Sequence, residues 1–268
     1  MGEGAHGLVI AGHGSLKNPD SSRPAVAHAH RIRSLGLFDE VRTTFWKEEP
    51  AFRDVLRTVE CDRITVVPLF MASGYFVDRI LPREMRLTTG TNLDVDADVR
   101  VSKPVGTHPA MRDVILHRAE TAVRAHEHDA ELALVVVGHG TERHEESGTS
   151  TYAHVERLRA LNRFSAVHAL FMDESPNIAA IETHVAADAV VIVPLFVADG
   201  YHTQEDIPRI LQLESTPDEQ IQQPSLVNGQ QRWYTEAVGT DPRMVTVILE
   251  RAMEAGAPLD PATITEVA

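Results

Sequence analysis

The sequence has a single cysteine, Cys61, among 268 residues. One cysteine excludes an internal disulfide and any zinc or iron–sulfur site built from the cysteines of one chain. A reducing compartment suits such a chain, and we expect it in the cytoplasm. Long apolar runs are also missing, because none approaches the roughly 20 residues that span a bilayer. The first residues show no basic segment followed by a cleavage site, so no secretion signal is expected.

Lysine is scarce as well, since Lys17, Lys47 and Lys103 are the only three among 25 basic residues. The formal net charge is −14. An acidic surface of this kind argues against nucleic-acid and anionic-membrane partners, and it suggests adaptation to high salt. An anionic ligand would need a local group of arginines or the N-terminus of a helix.

The sequence is written twice. Three segments of the first half recur 126 residues later (position 10 matches position 136), and a fourth recurs 133 residues later (104 matches 237). We therefore predict two repeat domains, at 1–128 and 129–268. The matched segments are "IAGHGS" (10–15) with "VVGHGT" (136–141), "FWKEEP" (45–50) with "FMDESP" (171–176), "PLFMASGYFVDRILPR" (68–83) with "PLFVADGYHTQEDIPR" (194–209), and "PVGTHPAM" (104–111) with "AVGTDPRM" (237–244).

Short β-branched runs alternate with helical patterns in each repeat, which predicts an α/β fold. We expect two tandem domains, each a small parallel sheet flanked by helices in a Rossmann- or flavodoxin-like layout, with a cleft between them. Amphipathic helices are predicted at 109–126 and 242–255. The predicted strands are 7–11, 41–46, 63–69 and 98–102 in the first repeat, and 132–137, 166–171, 189–195 and 232–237 in the second.

Three candidate ligands follow strands of the second repeat: His139 in "GHGT", Glu174 in "DESP" and His202 in "GYHTQEDIP". Each has a simpler interpretation, as a residue of a tight turn, an acid at a helix N-terminus and a surface histidine. The carboxyl ends of parallel strands share one edge of a sheet, so the three are expected to meet there. Two imidazoles and a carboxylate suit Co²⁺, Ni²⁺ or Fe²⁺. His28 and His154, at equivalent helical positions, are interpreted as packing or surface residues.

These motifs, with "VVPLF" ahead of "GYH" and the duplicated layout, resemble the class II tetrapyrrole chelatases. Within them the resemblance is to the CbiX-type sirohydrochlorin chelatases, relatives of CbiK and SirB. It covers nearly the whole chain. It implies a chelatase-like fold and ATP-independent insertion of a divalent metal into sirohydrochlorin, with Co²⁺ expected and Ni²⁺ or Fe²⁺ as alternatives, in cobalamin- or siroheme-type biosynthesis. It also implies that His139 and His202 are catalytic and bind the metal, and that Glu174 joins them as a ligand.

The first repeat departs from the family pattern. It keeps His13 in "GHGS", but Phe76 stands where the second repeat has His202, and Ile80 stands where it has Asp206. We therefore expect a degenerate metal site in the first domain and one asymmetric site in the second. The role of His13 stays open between a remnant and a substrate contact, and Phe76 is expected to give an apolar surface.

The expected ligands are the metal, as a substrate, and a sirohydrochlorin-like tetrapyrrole; no tightly bound cofactor is predicted. Arg83 and Arg209 are candidates for contacts with the carboxylates of the tetrapyrrole, but the sequence assigns no substrate-binding residue. The sequence thus supports two interpretations, an enzyme and a non-catalytic carrier of metal or tetrapyrrole. A hydrolase is disfavoured because no Gly-x-Ser-x-Gly elbow is present. Either a monomer or a homodimer is compatible with a fused repeat.

Overall fold

A computed structural model describes residues 4–16, 18–88, 91–92, 95–124, 131–141, 148–213 and 224–267. The chain forms two compact units, each built around its own sheet. The first unit contains residues 1–108 and 242–268, and the second contains 109–241. The repeat predicts a domain boundary between residues 128 and 129. This boundary lies in the segment 125–130, outside the described residues.

The first unit contains a six-stranded sheet in the order β2-β1-β3-β6-β5-β4. Strands β1, β2, β3 and β6 are parallel, and the short β4 and β5 continue the sheet in antiparallel fashion. The parallel strands are rich in valine, isoleucine and leucine because helices cover such a sheet. The bounds are β1 His6–Gly12, β2 Glu40–Phe45, β3 Arg63–Pro68, β4 Leu87–Thr88, β5 Thr91–Asn92 and β6 Asp98–Val101.

The second unit repeats this plan with a five-stranded sheet in the order β10-β11-β9-β7-β8. Strands β7, β8, β9 and β11 are parallel, and β10 pairs with β11 in antiparallel fashion. The eight predicted strands are confirmed to within three residues at their ends; β4, β5 and β10 were not predicted. The bounds are β7 Leu132–Gly138, β8 Val167–Phe171, β9 Ala189–Pro194, β10 Ser225–Val227 and β11 Gln230–Tyr234.

Helices flank both sheets, which confirms the predicted α/β class. The two predicted helices are confirmed as α4 and α8, and the buried side chains of α4 include Met111, Val114, Ile115 and Ala119, which share one face. The bounds are α1 Arg23–Ser34, α2 Phe52–Val55, α3 Leu81–Glu84, α4 Met111–Val123, α5 Thr149–Arg159, α6 Ile181–His184, α7 Ile207–Ile210, α8 Met244–Glu254 and α9 Pro261–Val267.

The grouping of the last helix of each repeat differs from the sequence repeat. Helix α4 comes from the first repeat but packs against β9, β11 and α5 in the second unit. Helix α8 comes from the second repeat but packs against β3 and α1 in the first unit. Each sheet is therefore completed by a helix that the other repeat contributes.

The core of each unit lies between its sheet and helices, where strand residues such as Val9, Val66, Val135 and Val190 are fully buried. Of the packing and surface positions that the sequence allowed for His28 and His154, both side chains occupy buried ones. None of the helices within the described ranges combines the length and apolar character that a membrane span requires.

Candidate metal centre

The candidate site of the second unit lies where the chain order of its sheet reverses. Strands β7 and β9 are neighbours, while β8 lies on the far side of β7. Ligands of open α/β sheets bind beyond the carboxyl ends of the strands at such a point. His139 directly follows β7, and the loop that follows β9 leads to His202. The topology therefore brings the two predicted histidines to one edge.

The loop after β7 needs glycine and is held by Glu174. Gly140 has φ +71°, a conformation that residues with a side chain rarely adopt, and a Cβ atom there would lie 2.6 Å from the Glu174 Cγ. The Thr141 N–H donates to Glu174 Oε2 at 2.8 Å. Glu174 thus lies against the loop that carries His139 and anchors its backbone.

The His139 ring is oriented through its Nδ1 atom. This atom lies 3.0 Å from the carbonyl oxygen of Gly140 and 3.4 Å from Asp173 Oδ2. Both oxygens only accept, so Nδ1 carries the hydrogen and donates it. The neutral ring therefore keeps its lone pair on Nε2, which is the form that binds a metal ion.

His202 begins a π-helical turn, His202–Asp206, that leads directly into α7. The turn is fixed from within the fold, because the Tyr234 hydroxyl donates to the Thr203 carbonyl at 2.7 Å. The Thr203 hydroxyl also contacts the backbone of Gly200. Burial, followed by the charge of Asp199, raises the pKa of Tyr234, which keeps its hydroxyl a donor.

Asp206 orients the His202 ring from one helical turn away. His202 Nδ1–H donates to Asp206 Oδ2 at 2.9 Å, and Arg209 donates to Asp206 Oδ1 at 2.7 Å. The Asp206 side chain is only 14% exposed, whereas that of His202 is 48% exposed. A covered carboxylate thus fixes an accessible imidazole, and Nε2 is again left with the lone pair.

The two imidazoles lie close together. The ring centroids of His139 and His202 are 5.3 Å apart, and the ring planes are nearly perpendicular at 86°. Phe196 lies beside both rings, with centroids 6.0 Å from His139 and 6.5 Å from His202. The result is an accessible imidazole pair with an apolar neighbour on one side and the carboxylates of Asp173 and Asp206 behind it.

Glu174 is near this pair, but its carboxylate faces the Gly140–Thr141 backbone. Within the described residues, no three histidine, cysteine or acidic side chains converge as a metal-ligand group. The ligand role of Glu174 therefore stays a prediction. Sequence reasoning did not assign Asp173 or Asp206 a role at the site. Two features of the sequence pointed to a contact between His202 and Asp206. The two residues have i,i+4 spacing, and both are replaced in the first repeat.

The corresponding edge of the first unit carries an aromatic cluster. His13 Nδ1–H donates to the Gly14 carbonyl at 2.8 Å, as His139 does in its own loop. Its ring centroid lies 5.4 Å from that of Phe76, which also contacts Trp46 at 5.1 Å and Phe70 at 4.8 Å. The ammonium of Lys47 lies 3.6 Å from the Trp46 ring centroid.

The two edges also differ in charge. Lys47 occupies the position of Asp173, because the repeat offset is 126 (47 matches 173). A cation therefore replaces the acid that lies beside the loop histidine. Glu48, the equivalent of Glu174, still accepts the Ser15 N–H, just as Glu174 accepts that of Thr141. The glutamate that anchors the loop is thus present in both units. The second imidazole, and the acids Asp173 and Asp206, are present only in the second unit.

Two further groups near the site have displaced pKa values. Burial, assisted by the charge of Glu174, raises the pKa of the Tyr152 hydroxyl. Burial also raises the pKa of Asp199, although the Ala237 N–H donates to it at 2.9 Å. The arginines considered for substrate carboxylates already have acidic neighbours: Arg83 pairs with Glu84, and Arg209 pairs with Asp206, at 2.7 Å in each case.

The chain is similar in sequence to known proteins over almost its full length. The family model described as CbiX matches residues 7–122 and again 133–255. A protein of Halobacterium salinarum named "Probable sirohydrochlorin cobaltochelatase" is 46% identical over 269 residues, which cover 94% of this chain and 92% of that protein. The double match agrees with the repeat seen in the sequence.

Solved structures of similar fold include a multi-domain protein of Deinococcus radiodurans described as structurally similar to chelatases. It shares 26% identity with a TM-score of 0.76, and the match covers 97% of this chain and 56% of that one. The sirohydrochlorin chelatase SirB of Bacillus subtilis, solved in complex with cobalt, matches with a TM-score of 0.70 at 16% identity. That match covers 95% of this chain and 97% of SirB, and it concerns the fold alone.

Proposed function

The chain belongs to the CbiX family, and we propose that it is a sirohydrochlorin chelatase, a lyase that inserts a divalent metal into this tetrapyrrole without ATP. Cobalt is the expected metal, because the Halobacterium salinarum relative is named a cobaltochelatase. The observation that carries the proposal is the accessible pair of His139 and His202, whose Nδ1 atoms are both engaged so that both Nε2 atoms remain available.

The imidazole pair would bind the metal before it enters the ring. Imidazole nitrogen is a good ligand for Co²⁺, Ni²⁺ and Fe²⁺, and two such ligands leave coordination positions for water and for the incoming macrocycle. Asp173 and Asp206 place negative charge near the cation and offset part of its desolvation. The choice among the three metals then depends on their availability as well as on the site.

The same histidines can take up the protons that insertion releases. A free-base macrocycle must lose two pyrrole N–H protons as M²⁺ enters, and the macrocycle nitrogens then bind the metal. Transfer of the metal frees the Nε2 atoms of His139 and His202, so each can accept one of these protons. The carboxylate of Asp206 would stabilise the imidazolium formed at His202. Two protons leave the ring and two imidazoles receive them.

Asp206 and Glu174 are assigned positioning roles. Asp206 holds the His202 tautomer, and Glu174 holds the loop that presents His139. The first repeat supports this division. It keeps the loop anchor Glu48, but it has Ile80 in place of Asp206 together with Phe76 in place of His202. Asp206 orients His202, so the absence of both residues from the first repeat is consistent with this positioning role.

The test is metal insertion into sirohydrochlorin with Co²⁺, Ni²⁺ and Fe²⁺ in parallel, followed by absorbance. His139→Ala and His202→Ala are each expected to lower turnover about 100-fold or more, because each ring serves as both ligand and proton acceptor. His13→Ala is the matched control, since it removes the same ring from the equivalent loop. Wild-type cobalt insertion by a folded His202→Ala variant would refute the proposal. Stoichiometric binding of the tetrapyrrole without repeated turnover would instead indicate a carrier.

A further inference from the structure

The last helix of each repeat is held by charged contacts that differ between the two units. Helix α4 contains "VILHRA" (114–119), and helix α8 contains "VILERA" (247–252), which differ only at His117 and Glu250. The loops before these helices contain "VGTHP" (105–109) and "VGTDP" (238–242), which differ only at His108 and Asp241. The first repeat thus has histidine at both positions, and the second repeat has an acid at both.

In the second unit the histidine is on the helix and the acid is on the loop. His117 of α4 donates from Nδ1 to Asp241 Oδ2 at 2.8 Å. Its neighbour Arg118 pairs with Glu236 and lies 3.4 Å from Asp241. Asp241 is 1% exposed, so losing one of these partners would be costly for its carboxylate. A donor at position 117 of the helix therefore contributes directly to holding this buried carboxylate.

In the first unit the arrangement is reversed. The ring of His108 lies between two acids of α8, with Nδ1 3.3 Å from Glu250 and Nε2 3.3 Å from Glu254. Arg251, only 3% exposed, links the same helix to the loop through the Pro104 carbonyl at 3.2 Å and through Thr107. Here the loop supplies the imidazole, and the helix supplies the carboxylates.

One contact is common to both units and cannot distinguish the helices. Arg118 donates to the Thr240 hydroxyl at 2.7 Å, and Arg251 donates to the equivalent hydroxyl of Thr107 at 2.7 Å. Either helix can make this contact with either loop. The His–acid contacts cannot be interchanged in this way.

The alternative, in which each helix packs on the sheet of its own repeat, would place like groups together. His117 would then face His108, and Glu250 would face Asp241. Arg118 would meet Lys103, which stands where the second unit has Glu236 (offset 133). Each of these three pairings would replace an attractive contact of the observed arrangement with a contact between like groups.

We propose that the reciprocal pairs His117–Asp241 and His108–Glu250 select the helix that each unit accepts, so that the chain folds with its terminal helices exchanged. The second unit presents an acidic docking loop for a helix that carries a donor, and the first unit presents a basic loop for an acidic helix. Specificity arises because the wrong helix removes the His117 donor from the buried Asp241 carboxylate and places the Glu250 carboxylate against it. This inference does not depend on the proposed chelatase activity.

The first test inverts the pairing without changing composition or net charge. His108→Asp combined with Asp241→His places acid against acid in one unit and imidazole against imidazole in the other. In the exchanged arrangement this should lower the melting temperature by about 5 °C or more. The unexchanged arrangement becomes the well-paired one, so we expect either that loss or new positions for the NMR methyl signals of Ile115 and Ile248. Adding His117→Glu and Glu250→His recreates both pairs with opposite polarity, and most of the loss should be recovered. The exposed swap of His30→Asp with Asp188→His is the matched control. A double variant with both an unchanged melting temperature and wild-type methyl signals would overturn the proposal, as would a quadruple variant that restores neither.

The second test separates selection from simple stabilisation. His117→Glu combined with Asp241→His keeps both pairs in the exchanged arrangement, but it makes the unexchanged arrangement equally well paired. After refolding from urea, we expect two sets of NMR methyl signals for Ile115 of α4 and Ile248 of α8. The quadruple variant should give one set. A single wild-type-like set from the double variant would show that the pairs stabilise the helices without selecting them.

Discussion

His139 and His202 face each other edge to plane, with ring centroids 5.3 Å apart. The Nδ1 atom of each ring is already engaged, that of His139 with the Gly140 carbonyl and that of His202 with Asp206. This relationship leaves two Nε2 lone pairs on accessible rings. Fixing the second nitrogen of a metal-binding histidine sets its tautomer and orientation before the metal arrives.

Asp206→Asn is expected to weaken Co²⁺ binding about 10- to 100-fold while leaving the fold intact. The amide is a weaker acceptor for His202 Nδ1–H than the carboxylate, and its NH₂ group can donate to Nδ1 and force the wrong tautomer. The π-helical turn itself should persist, because the first repeat forms the same turn with Ile80 at this position. Calorimetric titration with Co²⁺ measures the affinity, and ¹⁵N NMR of the His202 ring reports the tautomer.

Glu205→Gln is the control for Asp206→Asn, since it removes the same charge from an exposed neighbour in the turn. It should leave the Co²⁺ affinity close to that of the wild type. An Asp206→Asn protein with unchanged affinity and an unchanged ring spectrum would remove Asp206 from the site.

Glu48→Gln and Glu174→Gln are expected to lower the free energy of unfolding by a similar amount, about 1 kcal/mol each. Both carboxylates accept a backbone N–H of the loop that follows the first strand of their repeat, and the amide weakens that hydrogen bond. Urea denaturation of the two variants measures the effect. The pair serves as its own control, since the two residues occupy equivalent positions.

The same two variants decide whether Glu174 is also a metal ligand. If it acts only through the loop, Glu174→Gln should change the Co²⁺ dissociation constant by no more than about threefold. A loss of one hundredfold or more in Glu174→Gln, absent from Glu48→Gln, would establish the third ligand that the sequence predicted.

Much of the fold could be predicted from the sequence, because its signals are local. Runs such as "LALVVVG" (132–138) are apolar throughout, as expected for strands covered on both faces, and the repeat placed the equivalent strands. The convergence of His139 and His202 followed from the rule that strand carboxyl ends share an edge. Neither inference required knowledge of long-range packing.

The helix exchange could not be predicted in this way. A repeat alignment assigns α4 and α8 to their own copies, and periodicity is the same whichever sheet a helix covers. The differences at His117 and Glu250 become informative only when their partners, Asp241 and His108, are known. The loop contact of Glu174 was hidden for a similar reason, since its hydrogen bond with the Thr141 N–H depends on the course of a loop.

The buried pair His6 and Thr65 makes stability depend on pH. His6 Nε2 lies 2.9 Å from the Thr65 hydroxyl within the first sheet. Burial, followed by the charges of Arg63 and Arg100, lowers the pKa of His6 below 6.5, although Asp39 and Asp98 act in the opposite direction. The unfolded chain therefore takes up a proton that the folded chain resists. The contribution of neutral His6 to stability is fully present above pH 6.5, and it is lost as the pH falls from that value toward the pKa of His6 in the folded chain.

His6→Leu combined with Thr65→Val should reduce this pH dependence. The second repeat already has Leu132 and Val191 at these positions, so the apolar pair suits the same strands (offset 126). At pH 8 the variant should be about as stable as the wild type, because both hydrogen-bond partners are removed together. Between pH 6.5 and 5, its unfolding free energy should fall less steeply, by up to about 1.4 kcal/mol per pH unit for the one proton removed. His168, whose pKa burial also lowers, accounts for a residual slope.

Urea denaturation at pH 8, 7, 6 and 5.5 measures the unfolding free energy of the variant and of the wild type, with exposed His30→Leu as the control. Parallel curves for variant and wild type would show that His6 is not the group that titrates.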